Sequence, residues 1–244
     1  MISRALDLTI GLAGSILTAP LVLVLVLAIR LETRGDPIYR QKRVGRHGRP
    51  FEIFKLRTMI SGAEFTGAGF AVAEGDSRIT RIGALLRRYS LDELPNLWNV
   101  VRGEMAIVGP RPTLEGQVRQ YTPRQRGRLA VRPGITGWAQ VNGRASLPWS
   151  ERIELDLWYV EHRSLRLDLS ILAKTVEMVV HGHGIYKGND GGWHPPNTEA
   201  DGGWHPPNME ADAGWHPPNA GAEAGWHPPN AEADPGWQPP SQTP

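Results

Sequence analysis

Ser90-Leu91-Asp92-Glu93-Leu94-Pro95 sets two carboxylates side by side in a stretch otherwise rich in arginine. An ionised aspartate can act as a nucleophile and form a covalent phosphoryl intermediate. Mg²⁺ takes one or two carboxylates together with the phosphate oxygens of a substrate. Asp92 and Glu93 are therefore candidate catalytic residues and candidate Mg²⁺ ligands for attack on a diphosphate. Ser90 and Glu93 fit the S-x-x-E capping box, which starts a helix at Leu91. Pro95 offers a later start, because proline suits the first helical position. Either start puts the acid pair at or just before a helix N-terminus, where backbone N–H groups favour negative charge. Asp92 is expected to be ionised at neutral pH. An isolated S-x-x-E is as a rule only a structural cap; the surrounding arginines point to chemistry.

Those arginines fall into two sets. Arg111, Arg132 and Arg144 each lie beside Pro or Gly, in loops of the kind that display binding residues. Arg87 belongs to a segment in which Ile79, Ile82, Leu85, Leu86 and Tyr89 recur at helical spacing. A guanidinium offers phosphate a fixed fork of donors, so these residues suit a diphosphate ligand. The second set, Arg30, Arg34, Arg40, Lys42, Arg43, Arg46 and Arg49, follows an apolar run and equally suits anionic lipid headgroups. No P-loop, dinucleotide fingerprint or nucleic-acid-binding pattern occurs, and no nucleic-acid partner is expected. His181 and His183 form an H-x-H pair without a third ligand nearby, so no histidine metal site is expected.

Elements must hold these groups in place. A turn at Asp36-Pro37 leads into a short strand, Gly45 to Pro50 holds a second turn, and 51–56 alternates as a strand. Gly62 to Gly75 reads as a loop. Leu8 to Ile29 is a run of 22 residues without a charge; as a straight helix it would reach about 33 Å, enough to cross a hydrocarbon core. It is too long for a cleaved signal peptide. Pro20 sits near its middle, after Thr18 and Ala19. One reading is a kinked transmembrane helix. The other is a helix-break-helix at Pro20 that enters and leaves by one face, with Thr18 satisfying backbone groups freed at the break. The basic residues that follow place the globular part on the cytoplasmic side.

The overall charge of +2 hides a division. Residues 1–186 carry 26 Lys+Arg and 17 Asp+Glu, a balance of +9, whereas 187–244 carry one Lys and eight acids, a balance of −7. The last part repeats Gly-Trp-His-Pro-Pro-Asn every 11 residues, from 192 to an altered copy at 236–241. Two prolines per copy exclude a helix, and almost nothing aliphatic is available to bury, so a disordered tail is expected. It reads as a spacer without a role, a multivalent ligand for a protein partner, or a weak metal tract. The absence of cysteine excludes disulfides, thiolate metal sites and a thiol nucleophile.

Five segments, in order, resemble a known family: Phe54-Lys55-Leu56-Arg57-Thr58-Met59, Arg87 to Pro95, Val108-Gly109-Pro110-Arg111-Pro112, Arg132 to Arg144, and Leu167-Asp168-Leu169. With the apolar start they are similar to the bacterial sugar transferases, the monotopic phosphoglycosyl transferases. The resemblance implies an α+β, mostly helical fold. Residues 1–34 would form a re-entrant membrane helix and 35–186 a small cytoplasmic catalytic domain at the bacterial inner membrane; the repeats of 187–244, expected to be disordered on composition, lie outside the resemblance. It implies transfer of a sugar phosphate from a UDP-sugar to polyprenol (undecaprenyl) phosphate. Asp92 would be the covalent nucleophile and Glu93 would help hold Mg²⁺. By the same resemblance Lys55, Arg57, Arg87, Arg111, Arg132 and Arg144 would contact phosphate or nucleotide. Asp168 matches a family aspartate that fits a substrate contact, a cap or a salt bridge. The family's break is usually Ser-Pro, whereas this chain has Ala19-Pro20. A homo-oligomer is compatible with the pattern. The competing reading is a non-catalytic membrane scaffold that binds anionic lipid and, through the tail, protein partners.

Overall fold

The computed structural model describes residues 4–66, 75–143 and 147–181. The repeats, Arg144 and His183 lie outside the described residues, so the readings of the tail and of the H-x-H pair do too. Helix α1 (Arg4–Glu32) is followed by strands β1 (Ile38–Val44) and β2 (Pro50–Leu56). After them come α2 (Arg81–Arg88), a 3₁₀ turn at Leu91–Glu93 and α3 (Asn96–Arg102). β3 (Ala106–Val108), α4 (Glu115–Arg119), a 3₁₀ stretch at Gln125–Ala130, β4 (Gly134–Thr136), α5 (Trp138–Val141), α6 (Trp149–His162) and α7 (Leu165–His181) complete the domain. It is mostly helical, as expected. The segment expected to be a loop from Gly62 begins with a 3₁₀ turn at Ala63–Phe65.

β1 and β2 form an antiparallel hairpin in which Tyr39 faces Lys55, Gln41 faces Ile53 and Arg43 faces Phe51. Directly opposed residues share a face, so Lys55, Ile53 and Arg43 point the same way. β3 and β4 form a parallel pair that supports the loop carrying Arg111. Gly109 and Gly134 permit its close approach: a Cβ on Gly134 would lie 2.1 Å from the Gly109 nitrogen. Gly134 N donates to Pro110 O at 2.9 Å and Gly109 N to Thr136 O at 2.8 Å. Much of the Arg132-Pro133-Gly134-Ile135-Thr136-Gly137 segment thus works as backbone support.

The main core joins Phe51, Ile53, Val100, Met105, Ile107, Val108, Trp138, Leu155, Tyr159 and Ile171. A second apolar cluster, Ile29 with Leu56 and Leu86, joins α1 to β2 and α2. Each such fully buried aliphatic side chain stabilises the fold by about 1.5–3 kcal/mol. α3 is pinned to β2 by two buried asparagines. Phe54 N donates to Asn96 Oδ1 at 3.2 Å, and Asn99 Nδ2 donates to Glu52 O at 2.7 Å.

α1 is assigned as one helix with Pro20 inside it, so the expected break is not an interruption of the helix. Thr18 Oγ1 donates to Gly14 O at 2.7 Å, rather than to the Ile16 carbonyl that Pro20 leaves without its usual donor. Both ends of α1 are tied to the same domain. At the start, Arg4 donates to the carbonyls of Val100 and Val101, and Ile107 N donates to Asp7 Oδ1 at 3.0 Å. Gly11 and Gly14 pack on Val100 and Leu97. At the end, Glu32 accepts from the nitrogens of Arg81 and Ile82 and so caps α2 together with Thr80. Between these ties Ile16, Leu17, Leu23, Val24 and Leu27 stay exposed. By length and composition α1 could cross a membrane.

Candidate active site

The turn at Leu91–Glu93 joins α2 to α3 and displays the acid pair. Ser90 enters it with φ 54° in the left-handed region, and its side chain does not cap the turn. The expected capping box is therefore absent. A non-glycine residue in this region costs on the order of 1–3 kcal/mol and is held there by its surroundings. The Glu93 carboxylate is drawn away from the local backbone by two cations and a buried amide. Lys55 Nζ lies 2.6 Å from Oε1, Arg111 NH2 lies 3.0 Å from the same oxygen, and Asn96 Nδ2 donates to Oε2 at 2.7 Å. Charge-assisted bonds of this kind are roughly twice as strong as neutral ones.

Asp92 is held more loosely, with its Oδ2 3.9 Å from Lys55 Nζ. The two neighbouring carboxylates consequently behave differently. Burial opposes the charge on Glu93, but Lys55 and Arg111 outweigh it and hold the group well below the usual carboxylate range. Burial pushes Asp92 up and the charge on Glu93 adds to the effect, while Lys55, Arg87 and Arg111 oppose it. The position just before α3 favours a charge on Asp92, but burial is the largest influence and the net direction is upward. Burial also pushes Lys55 down, against the pull of Glu93.

Arg87, at the end of α2, donates from Nε to Thr58 Oγ1 at 2.8 Å and contributes to the field at Asp92. Lys55, Arg87, Arg111, Asp92 and Glu93 are thus brought together. Other expected site residues are placed elsewhere. Arg57 is buried and donates to Thr33 O and Oγ1, both at 2.8 Å, which ties β2 to the end of α1. Arg132 Nε donates to Gly103 O at 2.9 Å, on the side of Asp7 and Arg4. Asp168 is buried on α7 and accepts from Tyr159 OH at 2.8 Å, an anchor between α6 and α7. None of these three joins the acid pair.

Two further residues belong to the site although the sequence pattern does not assign them to it. Asn96, next to Pro95, orients Glu93 and is nearly inaccessible. Arg43, which the sequence alone explains as a lipid contact, lines the recess at Glu93 with Ile53, Lys55, Asn96, Arg111, Pro112 and Gly134. The signal that could have found it is the strand alternation that puts Arg43 and Lys55 on one face of the hairpin. Behind the Arg111 loop, Arg128 is buried and paired with Asp156. It packs against the Tyr121 and Trp149 rings, 5.7 and 5.6 Å from their centroids, and donates to Arg111 O at 3.2 Å.

The chemistry of the donor set suits Mg²⁺. Adjacent carboxylates plus substrate phosphate oxygens are what the ion takes. An ionised carboxylate offers about four lone-pair sites, and Lys55, Arg111 and Asn96 take three of those on Glu93. One remains on Oε2, and the nearest cation to Asp92 stands beyond hydrogen-bond distance.

The sequence model of the family described as "Bacterial sugar transferase" matches residues 1–182. The chain belongs to the bacterial sugar transferase family. The resemblance drawn from the five segments is borne out, and membership of an enzyme family weighs against the non-catalytic scaffold. The chain is 40% identical over 189 residues to "Uncharacterized sugar transferase EpsL" of Bacillus subtilis, covering 78% of this chain and 92% of that one. It is 42% identical over 192 residues to the "UDP-glucose:undecaprenyl-phosphate glucose-1-phosphate transferase" of Caulobacter vibrioides, 75% of this chain and 71% of the relative. It is 41% identical over 201 residues to the "UDP-galactose-lipid carrier transferase" of Erwinia amylovora, 75% of this chain but 42% of that protein. Against relatives of the last kind, this sugar transferase spans less than half their length.

Proposed function

We propose that this sugar transferase moves a sugar phosphate from a UDP-sugar to polyprenol phosphate, giving a polyprenyl diphosphate sugar and UMP. One observation carries the reading: the Asp92 carboxylate adjoins a Glu93 that Lys55 and Arg111 neutralise, with its Oδ2 3.9 Å from the same Lys55 Nζ. An Asp92 oxygen attacks the phosphorus that bears the sugar. The bond from that phosphorus to the oxygen of UMP breaks, and UMP leaves with the electron pair. An oxygen of polyprenol phosphate then attacks the same phosphorus, and the bond to Asp92 breaks. Lys55, Arg87 and Arg111 stabilise the charge that spreads over the phosphoryl oxygens and hold the reacting groups in line. Glu93 keeps Lys55 and Arg111 charged and oriented. Mg²⁺, held by Asp92, Glu93 and substrate phosphates, would neutralise the diphosphate. The names of the relatives support UDP-sugar and undecaprenyl phosphate as the substrate classes.

The same reading puts the site at the cytoplasmic face of the inner membrane. A helix of about 43 Å that docks both ends on one domain leaves the domain on a single side of the bilayer. This supports a re-entrant or in-plane α1 over a spanning one, with the exposed residues from Ile16 to Leu27 in lipid. The decisive test is covalent capture. The full-length protein in detergent is incubated with a panel of UDP-sugars and Mg²⁺ and then digested. A phosphosugar mass on the peptide that holds Asp92, absent in Asp92→Asn, is expected. No adduct with any sugar, together with unchanged UMP release by Asp92→Asn, would sink the mechanism.

A further inference from the structure

Arg43 lines the recess at Glu93, yet its hydrogen bonds among the described residues go to neutral groups. NH1 donates to Pro112 O at 3.3 Å and NH2 to Gln41 Oε1, while Nε is buried without a partner. Lys55 and Arg111 differ, because both are paired with Glu93. A cation taken out of water without a counter-ion is costly. The cost is visible here: burial, and then the charge on Arg111, pull Arg43 down to about 10. The recess thus holds three cations, and Glu93 can satisfy only two by direct contact.

The position is not an accident of a flexible side chain. Arg43 sits one residue before the end of β1, on the hairpin face that carries Lys55. Val44 N bonds Thr113 O at 2.9 Å, which fixes the end of β1 against the chain just after Arg111. Arg43 and Arg111 therefore line the same recess with like charges, and Glu93, the one acid in that lining, is already engaged by Lys55 and Arg111. Such a pair of guanidiniums presents donors to a dianionic oxygen cluster.

We propose that Arg43, with Arg111, forms a subsite for a phosphate monoester, one wall of the recess being Lys55 and Glu93. The proposal rests on the transferase reading above and adds a residue and a ligand class to it. Two phosphate monoesters belong to the reaction, the departing UMP and the incoming polyprenol phosphate. Both present the same terminal group, and the experiment separates them.

The test uses the full-length protein and its variants Arg43→Gln and Arg43→Lys. Binding of UMP and of inorganic phosphate is measured by calorimetry, and KM for undecaprenyl phosphate by UMP release. Loss of one charge-assisted contact weakens a ligand by roughly 10- to 100-fold. Arg43→Gln is expected to weaken either UMP binding or the KM for undecaprenyl phosphate by that factor, with the melting temperature held within a few degrees. Weakened UMP binding assigns the subsite to the leaving nucleotide, and a raised lipid KM assigns it to the acceptor. Arg43→Lys, which keeps the charge and loses the fork, should fall between wild type and Arg43→Gln. Unchanged binding and KM in both variants overturns the proposal, as does a uniform loss that only tracks a fall in melting temperature. The calorimetric arm needs no turnover. Wild-type protein that binds UMP through Arg43 but forms no adduct would leave the subsite standing and remove the covalent reading.

Discussion

The Lys55 ammonium lies 2.6 Å from Glu93 Oε1 and 3.9 Å from Asp92 Oδ2. One half-buried cation therefore serves two neighbouring carboxylates unequally. Glu93 is held charged, and Asp92 keeps its oxygens open for another partner. Two acids adjacent in sequence thus stand in unlike surroundings, because β2 brings Lys55 closer to one of them.

That asymmetry has a pH signature. The pKa of Asp92 is raised, first by burial and then by the charge on Glu93. The protonated carboxyl cannot attack phosphorus, so activity falls as pH drops through that pKa. The acid limb of adduct formation should lie above the ordinary aspartate value of about 3.9. Lys55 opposes the shift, so Lys55→Met should move the limb further up and lower turnover by roughly 100-fold or more. A pH profile of adduct yield in both proteins checks this. A limb at the ordinary aspartate value in wild type, or an unmoved limb in Lys55→Met, would contradict it. For stability the sign is opposite at Glu93. Its depressed pKa supplies stability that is present above the unfolded-state value and is lost as pH falls toward the folded one.

Gly83 tests how α2 is set against β2. A Cβ there would lie 2.0 Å from Thr58 O and 2.6 Å from Thr58 C, and this is backbone that cannot step aside. Thr58 also receives Thr80 N at 3.1 Å and Arg87 Nε at 2.8 Å. Gly83→Ala is expected to cost about 1–3 kcal/mol through overpacking and to lower turnover by displacing Arg87. Gly116→Ala, where no atom lies within 4 Å, is the control and should stabilise by about 0.4–1 kcal/mol. Thermal melts of the two variants decide it; equal melting temperatures would remove the packing argument.

The sequence pattern disclosed the hairpin and α2, because period-two alternation at 51–56 and helical spacing from Ile79 to Tyr89 depend only on neighbours. It led to the acid pair and to its place just before the helix that starts after Pro95, but not through a capping box. The S-x-x-E spacing describes what Glu93 would do if left to its own backbone. The structure instead gives that carboxylate to Lys55, 38 positions earlier, and to Arg111, 18 positions later. Contacts of that range leave no periodic trace. Arg57 and Arg132 show the converse. They lie in the matched segments, yet their guanidiniums bond carbonyls that hold α1 and the α3 terminus. Arg43 was hidden because a basic residue after an apolar run already had an explanation.

The Arg128–Asp156 pair should govern Arg111 from behind. Both partners are buried, and Arg128 also binds Tyr121 OH and Arg111 O. Asp156→Ala leaves a buried guanidinium without its counter-ion, at a cost of about 3–5 kcal/mol. Replacing both, as Arg128→Met with Asp156→Leu, should recover much of that stability, because an apolar pair of similar volume avoids desolvation. Turnover should stay low in the double variant, since the carbonyl of Arg111 has lost its donor. Denaturation curves and UMP release measured on the same samples separate the two effects. Full recovery of turnover with stability would show that the pair has no positioning role.

The absence of cysteine makes the path of α1 directly measurable. Asp7 bonds Ile107 N, Arg4 bonds the end of α3, and Glu32 caps α2. A spanning helix would have to give up one of these sets, leaving Asp7 or Glu32 on the far side of the bilayer from its partner. Leaving a buried donor such as Ile107 N without an acceptor costs about 1–3 kcal/mol, and the opposite face of the membrane offers nothing to replace it. Single cysteines placed as Ser3→Cys, directly before Arg4 in the chain, and as Arg34→Cys should therefore react with an impermeant maleimide from the same side. Both are expected to label in inside-out vesicles and neither in intact spheroplasts. Leu17→Cys, in the exposed apolar middle, should resist the reagent from both sides because lipid covers it. Labelling of Ser3→Cys from outside alone would establish a spanning helix and would require the contacts of Arg4 and Asp7 with the domain to break in the membrane.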